Sequence, residues 1–165
     1  MGVIYWHLAL NEKQCQRIIE AHSDYKRSYV VWVNIVRAED RWLQDSDKAA
    51  RAIHDALVEN LLPESDLYKL RSRMFFGGIP LFEKKEPNIR YLSEFPLILS
   101  SVESIGLDYF KEQYSDDYAE YAYLWFQKVR DLYIRALEAK MPAILFMSDQ
   151  LRVFLPERAE TTGTP

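Results

Sequence analysis

The pattern of apolar positions predicts a buried strand near each end of the chain. Residues 3–10 (VIYWHLAL) mix β-branched and aromatic residues and are apolar on both alternating faces, which is typical of a strand covered on both sides. Residues 143–147 (AILFM) follow Pro142 and form a short, continuously apolar run. We therefore predict that the two ends of the chain meet in one small sheet.

Helical periodicity predicts most of the chain between these strands. Asn11 is followed three residues later by Gln14, as in a capping box, and apolar residues then recur at helical spacing. A second helix is predicted within residues 45–63, between acidic capping residues and a proline. A third begins at Asp116 and carries one wide apolar stripe as far as Leu137, about six turns later. Its many aromatic residues are predicted to point mostly into the core.

Four further segments are assigned on weaker patterns. Residues 28–37 (SYVVWVNIVR) fit either state, because β-branched residues favour a strand and the lack of flanking turn residues favours a helix. Residues 67–82 alternate basic and apolar positions, which predicts a strand near a sheet edge. Residues 83–90 (EKKEPNIR) predict a loop, and a short helix is predicted within residues 93–105.

These elements predict an α+β fold, mostly helical, in which a small sheet joins the N-terminal and C-terminal strands. The 165 residues suffice for one domain with a sizeable core, which we place at residues 1–155. Residues 156–165 are polar and rich in turn-forming residues, so we predict a disordered tail there.

Charge and cysteine content narrow the classes of function. The net charge of −4, from 25 acidic and 21 basic residues, provides no excess positive field, so nucleic-acid binding is not expected. Cys15 has no second cysteine to pair with, which favours a reducing, cytoplasmic setting. The N-terminal residues lack the features of a signal peptide, and no apolar run approaches the about 18 residues that cross a bilayer.

The common phosphate-binding, nucleophile-elbow and zinc motifs do not occur, so neither a metal nor a cofactor is expected. His54 lies on the apolar side of a predicted helix with Asp47 before it, and these two are candidates for acid–base chemistry. The alternative is a core histidine that is hydrogen-bonded to backbone. Gly77 and Gly78 suit a turn or a bulge better than a phosphate-binding loop.

Three apolar residues of the long helix lie off its stripe. Tyr123, Leu124 and Ile134 have no predicted place in the core. They are candidates for a surface that contacts a partner protein.

Several stretches together resemble the YfbM-like family of bacterial proteins, whose function is not established. The resemblance is carried by four parts of the chain: the opening MGVIYWHLALNEKQCQRIIE, the helix DKAARAIHDAL, the short segments GGIPL and RYLS, and the closing WFQKVRDLYIRALEAKMPAILFM. Relatives often have Trp where this chain has Ala50. The resemblance implies an α+β fold and a bacterial cytoplasmic protein, and it implies no activity. It adds Arg90 and Tyr91, in RYLS, to the candidate residues.

Three functions from different classes remain open. The first is a non-enzymatic protein-binding factor, such as an immunity or inhibitor-like protein, that uses Tyr123, Leu124 and Ile134. The second is a small-ligand-binding protein or enzyme with a cleft around His54, Arg90 and Tyr91. The third is a homo-oligomeric structural subunit.

Overall fold

A computed structural model of the chain describes residues 3–21, 31, 34–35, 40–81 and 87–148. The predicted end of the domain at residue 155 and the predicted tail at 156–165 lie outside these residues. Of the ambiguous segment 28–37, only residues 31, 34 and 35 are described, and all three are helical.

The two terminal strands lie side by side at the centre of a five-stranded antiparallel sheet, with strand order β2-β1-β5-β4-β3. Leu8 of β1 lies opposite Leu145 of β5. The prediction that the two ends of the chain meet in one sheet is therefore confirmed. The strands are β1 (Tyr5–Leu10), β2 (Leu43–Asp45), β3 (Ile79–Pro80), β4 (Asn88–Tyr91) and β5 (Ala143–Ser148).

Helices make up most of the remaining described residues. They are α1 (Glu12–Ala21), α2 (Ala50–Val58), α3 (Asp66–Arg73), α4 (Phe95–Ser101), α5 (Leu107–Lys111) and α6 (Asp116–Glu138), with single 3₁₀ turns at Asp40–Trp42, Asp47–Ala49 and Leu92–Glu94. The predicted capping box is present before α1. The amide of Asn11 donates to Gln14 Oε1 at 2.8 Å, and the amide of Gln14 donates to Asn11 Oδ1 at 2.9 Å.

The sheet is covered on both faces, as its apolar strands predict. On one face, Leu8 and Leu145 pack with Ile18 of α1. On the other face, Phe146 packs into a larger core that includes Phe126 of α6. These two layers of helix around one sheet confirm the α+β assignment.

The long helix α6 is the packing element that its stripe predicts. Phe126 and Tyr133 are fully buried, and smaller buried residues complete the stripe: Ala119, Ala122, Val129, Leu132 and Ala136. Most of its aromatic surface therefore holds the core together. Within the described part of the chain, no helix has both the length and the apolar character needed to cross a membrane.

The prediction of an edge strand over the alternating basic and apolar residues 69–74 is wrong, because Asp66–Arg73 forms helix α3. The edge strand within residues 67–82 is the two-residue β3, after the glycine pair. The side chain of Ser65 caps this helix by accepting a hydrogen bond from the amide of Tyr68 at 3.2 Å. Asp66 in the first turn and the two arginines of the last turn complement the helix dipole. These end signals outweigh the alternation of basic and apolar residues.

The prediction of a loop at residues 83–90 is wrong at its C-terminal end. Asn88, Ile89 and Arg90 belong to β4 and are fully buried. Because two of these three residues are polar, the pattern of apolar positions does not reveal that they form a buried strand. Residues 83–86 lie outside the described part of the chain.

Candidate functional site

An open cleft of about 490 Å³ lies where α2, α3 and the segment after α3 approach β1. Arg51 and His54 are one turn apart on α2, and Tyr68 and Ser72 are one turn apart on α3, so each pair projects from one helix face. The lining residues are Tyr5, Arg51, His54, Tyr68, Ser72, Phe76, Gly77, Gly78 and Pro80.

Gly77 and Gly78 form part of the cleft wall, where neighbouring atoms leave no room for a side chain. A Cβ atom on Gly77 would lie 2.3 Å from Ser72 Oγ. A Cβ atom on Gly78 would lie 2.6 Å from Asn88 Oδ1 and 2.9 Å from Arg90 Cζ. The glycine pair is therefore required by close approach of the backbone to its neighbours.

Arg90 lies directly behind Gly78 and is fully buried. Its guanidinium donates to the carbonyls of Arg73 and Phe75, and to the carbonyl of Asn88 at 3.4 Å. It also lies 5.1 Å from the centre of the Phe146 ring. Since the carbonyls at the end of a helix carry the negative end of its dipole, Arg90 stabilises the end of α3 and the wall that follows it.

Two more buried side chains contact the backbone carbonyl of Met74, which lies between Arg73 and Phe75 in the chain. Met74 O accepts from Tyr133 Oη at 3.2 Å and lies 3.1 Å from His7 Nε2. Burial, with a smaller contribution from nearby Arg90, lowers the pKa of His7 to about 3, so His7 is neutral and Nε2 carries the proton donated to Met74. We call Arg90, His7 and Tyr133 the closed cluster.

His54 is a different kind of buried polar group. Its side chain is only 7% exposed, and Nδ1 is buried without a hydrogen-bond partner among the described residues. Burial lowers the pKa of His54; Asp55 opposes this shift, while the charges of Arg51 and Arg90 add to it. The ring is therefore neutral near pH 7. Because Nδ1 is buried, the part of the ring that faces the cleft is the Nε2 side.

Arg51 brings a positive charge to the mouth of the cleft. Its guanidinium carbon lies 4.8 Å from the centre of the Phe76 ring. Its ion pair with Asp55 is long, at 3.9 Å, and both side chains are mostly exposed. Such a pair holds Arg51 only weakly, so its donors remain usable by a ligand.

Taken together, the lining side chains suit an acceptor-rich ligand. Arg51 is a donor only, and His54, Tyr5 and Tyr68 each have a group able to donate. No carboxylate occurs among the described residues that line the cleft. Nor do the described residues contain a group of three or more His, Cys, Asp or Glu placed to hold a metal ion.

The candidate residues predicted from the sequence only partly come together. His54 lines the cleft and Arg90 lies behind its wall, whereas Tyr91 is not among the lining residues. Neighbouring residues of a strand point to opposite faces, so Arg90 and Tyr91 cannot serve one pocket. The amide of Tyr91 donates to Glu94 Oε2 at 2.9 Å, and Glu94 also pairs with Arg73.

Asp47 also lies apart from the cleft lining and has a structural contact. Its carboxylate accepts a hydrogen bond from Tyr121 Oη at 2.6 Å, which ties the 3₁₀ turn before α2 to α6. Burial, together with this hydrogen bond, raises the pKa of Tyr121 to about 12. The backbone of Asp47 has φ 43°, a left-handed conformation that Asp tolerates better than most residues.

The three off-stripe residues of α6 do not form one patch. Tyr123 is half-buried against Phe110 and Phe126, at ring distances of 5.8 and 6.2 Å. Leu124 is 48% exposed and Ile134 is 38% exposed. Ten residues of helix separate these two by about 15 Å along the axis and roughly 80° around it.

Ile134 does line a second groove, of about 390 Å³, between α4 and α6. Arg130 lies in this groove, and its Nε is buried without a partner in the described residues. The other lining residues are Pro96, Leu99, Ser100, Glu103 and Leu137.

Sequence reasoning missed Arg51, Tyr68 and Ser72 as lining residues. The alternating pattern predicts a strand for Tyr68 and Ser72, and a strand gives these two residues no predicted relation to α2. The signal that identifies them is the helix cap at Ser65, because a helix from residue 66 puts Tyr68 and Ser72 on one face.

The fold defines a class of α+β domain in which an antiparallel sheet has α1 and the helical residue Ile35 packed on one face and helices α2–α6 on the opposite face. A solved structure of similar fold is that of YfbM from Escherichia coli, described as a protein of unknown function. The TM-score is 0.56 at 14% sequence identity, covering 88% of this chain and 98% of that chain. No family model and no curated protein matches the chain. The similarity to YfbM that the sequence predicts is thus confirmed at the level of the fold.

Proposed function

We propose that this protein binds a small molecule in the cleft around His54. The observation that carries the proposal is His54 itself, which is more than nine-tenths buried, keeps Nδ1 unpaired and faces an open cleft. A buried polar atom without a partner costs about 1–3 kcal/mol, so a histidine kept at this cost beside an opening favours a role in binding, through the other ring nitrogen, Nε2.

The construction of the cleft supports the same proposal. Arg90 holds the wall of the cleft in place, because its guanidinium donates hydrogen bonds to the carbonyls at the end of α3 and packs against Gly78. Ligand sites are commonly concave, preformed and lined by aromatic residues with a few polar groups, which describes this lining.

A thermal-shift screen of small molecules tests the proposal, with wild type and a His54→Phe variant measured in parallel. A ligand at 100 times its Kd stabilises a folded protein by about 2.7 kcal/mol. We expect compounds that raise the Tm of wild type and have much less effect on the variant. Compounds that stabilise both proteins equally bind elsewhere and would count against the cleft.

The groove between α4 and α6 favours a second candidate, a protein-binding factor. Ile134 is an exposed apolar residue in this groove, and Arg130 Nε lacks a partner there. A partner segment with an apolar side chain next to a backbone or carboxylate oxygen would satisfy both. For both candidates we propose a location in a bacterial cytoplasm, which the lone cysteine and the resemblance to the YfbM-like family support.

Photo-cross-linking separates the second candidate from the first. A photoreactive residue is placed at position 134 or, as a control, at exposed position 13 of α1, and the cells are irradiated. The second candidate predicts a cross-linked partner from position 134 only. Identical patterns from both positions, or no adduct from either, would remove its support.

A further inference from the structure

We infer that the ligand of the His54 cleft is a small molecule with a flat aromatic body and one carboxylate group. This inference rests on the proposed function and specifies the class of ligand. It follows from the charge of the cleft lining, the number of cationic donors that remain usable, and the shape of the walls.

The charge of the lining favours an anion. Arg51 is a cation at the mouth, and the charge of Arg90 lies just behind Gly78. Asp55 opposes this charge, but its contact with Arg51 is 3.9 Å and solvent-exposed. Because the buried side of the cleft screens charge less than water does, the two arginines favour a negative group inside it.

The number of usable donors favours a single negative charge. Arg90 directs its guanidinium to three backbone carbonyls, so it contributes its field and not a ligand contact. Arg51 is then the cation that a ligand reaches, and a guanidinium matches the two oxygens of one carboxylate. A phosphate with two charges would lack a second cationic donor among the described lining residues.

His54 provides a neutral second donor. With Nδ1 buried and unpaired, the proton of the neutral ring is best placed on Nε2, where a ligand oxygen can accept it. Burial, aided by the positive charges of Arg51 and Arg90, lowers the pKa of His54 and keeps the ring neutral, and the same two charges favour the carboxylate. His54 and Arg51, one turn apart on α2, thus present two donors to one group.

The walls favour a flat aromatic body. Tyr5, Tyr68, Phe76 and Pro80 all contribute rings to the lining. The Tyr5 and His54 rings stand nearly perpendicular to Phe76, at 82° and 79°, with centroid distances of 5.1 and 5.0 Å. Aromatic side chains of this kind favour contact with a further aromatic ring. The volume of about 490 Å³ is within the range of small-molecule pockets.

The test is an NMR titration of the full chain at pH 7 with three probes: phenylacetate, its neutral analogue phenylacetamide, and inorganic phosphate. We expect phenylacetate to bind about ten times more tightly than phenylacetamide, the difference that one charge-assisted contact provides. Phosphate should bind more weakly than phenylacetate because it lacks the ring. Amide shifts should centre on residues 51–54 and 68–78.

Two variants identify the source of the preference. Arg51→Met keeps the apolar stem beside Phe76 and removes the charge, so it should weaken phenylacetate binding much more than phenylacetamide binding and thereby abolish the roughly tenfold preference. Lys13→Met removes the same charge from exposed α1 and should leave the preference intact. Both positions are exposed, so both variants should fold, which their spectra will show.

Three outcomes would overturn the inference. If phenylacetamide binds in the cleft as tightly as phenylacetate, the cleft binds ligands without selecting an anion, and the proposed function still stands. If phosphate binds as tightly as phenylacetate, the aromatic body is irrelevant. If no probe and no compound of the thermal-shift screen shifts the lining residues, the proposed function fails and the inference fails with it.

Discussion

Two groups of buried polar side chains lie on opposite sides of the Gly77–Gly78 backbone, and they differ in how their hydrogen bonds are met. In the closed cluster, Arg90 and Tyr133 bond the carbonyls at the end of α3. On the cleft side, His54 keeps Nδ1 unpaired although the side chain is almost fully buried.

This difference separates groups that stabilise the fold from groups that are open to a ligand. A satisfied buried network fixes the structure, whereas the cleft side carries the cost of an unpaired Nδ1 in order to keep a histidine whose Nε2 a ligand can reach. His7 is the exception in the closed cluster, because one of its nitrogens is bonded and Nδ1 is not. That exception makes the closed cluster sensitive to acid.

The largest expected effect is from Arg90→Met. The substitution leaves buried carbonyls at the end of α3 without a donor, so the free energy of unfolding should fall by about 3–5 kcal/mol. Arg51→Met, at the mouth of the cleft, should change it by less than about 0.5 kcal/mol. Urea unfolding of both variants measures the contrast, and equal losses would contradict it.

The second effect is a loss of stability in acid. The pKa of His7 is about 3 in the folded protein and near 6.5 when unfolded, so its contribution is complete above pH 6.5 and is lost as pH falls towards 3. By pH 5 the loss should reach about 2 kcal/mol. His54 adds a loss of the same sign, because its pKa is also lowered.

A His7→Gln variant isolates this term. The amide can still donate to Met74 but does not titrate, so unfolding free energy should depend less on pH between 6.5 and 5. If wild type and variant lose stability in parallel over that range, His7 is not the acid-sensitive group.

The third effect concerns the backbone that separates the two regions. Gly78→Ala places a methyl group 2.6 Å from Asn88 Oδ1 and 2.9 Å from Arg90 Cζ, both in fully buried residues, and should cost about 1–3 kcal/mol. Gly106→Ala is the matched control because nothing lies within 4 Å of its added Cβ. Equal Tm changes in the two variants would show that Gly78 is not a close-packed position.

The smallest effect has the opposite sign. His54→Phe removes the unpaired nitrogen and keeps the aromatic contact with Phe76, so unfolding free energy at pH 7 should stay level or rise by up to about 1 kcal/mol. Chemical denaturation measures the change. A loss greater than about 1 kcal/mol would assign His54 to the structural groups instead.

The sequence predicts the fold much better than the cleft, for physical reasons. β1, β5 and α6 bury continuous or periodic apolar surface, which leaves a pattern along the chain. β4 carries Asn88 and Arg90 into the interior, where tertiary hydrogen bonds offset their polarity, so no apolar pattern marks it. A polar strand of this kind is identified only through its partners.

The cleft shows the same limit. His54 and the two glycines could be singled out from the sequence, but their meeting depends on the direction of α3 and on the packing of Gly78 against Arg90. The proximity of His54 to Arg51 is predictable from the sequence, because residues three positions apart on a helix lie on the same face. Tyr91 follows Arg90 in the sequence, but adjacent residues of a strand point to opposite sides, so sequence proximity does not bring the two to one pocket.

The most direct test of the central claim is to map, by amide chemical shifts on the wild-type protein, where ligands from the small-molecule screen bind. We predict that the largest shifts fall on residues 51–54 and 68–78, around the cleft, and that His54→Phe removes them. Shifts centred on the groove between α4 and α6, or shifts that persist unchanged in His54→Phe, would contradict the assignment of the cleft as the ligand site.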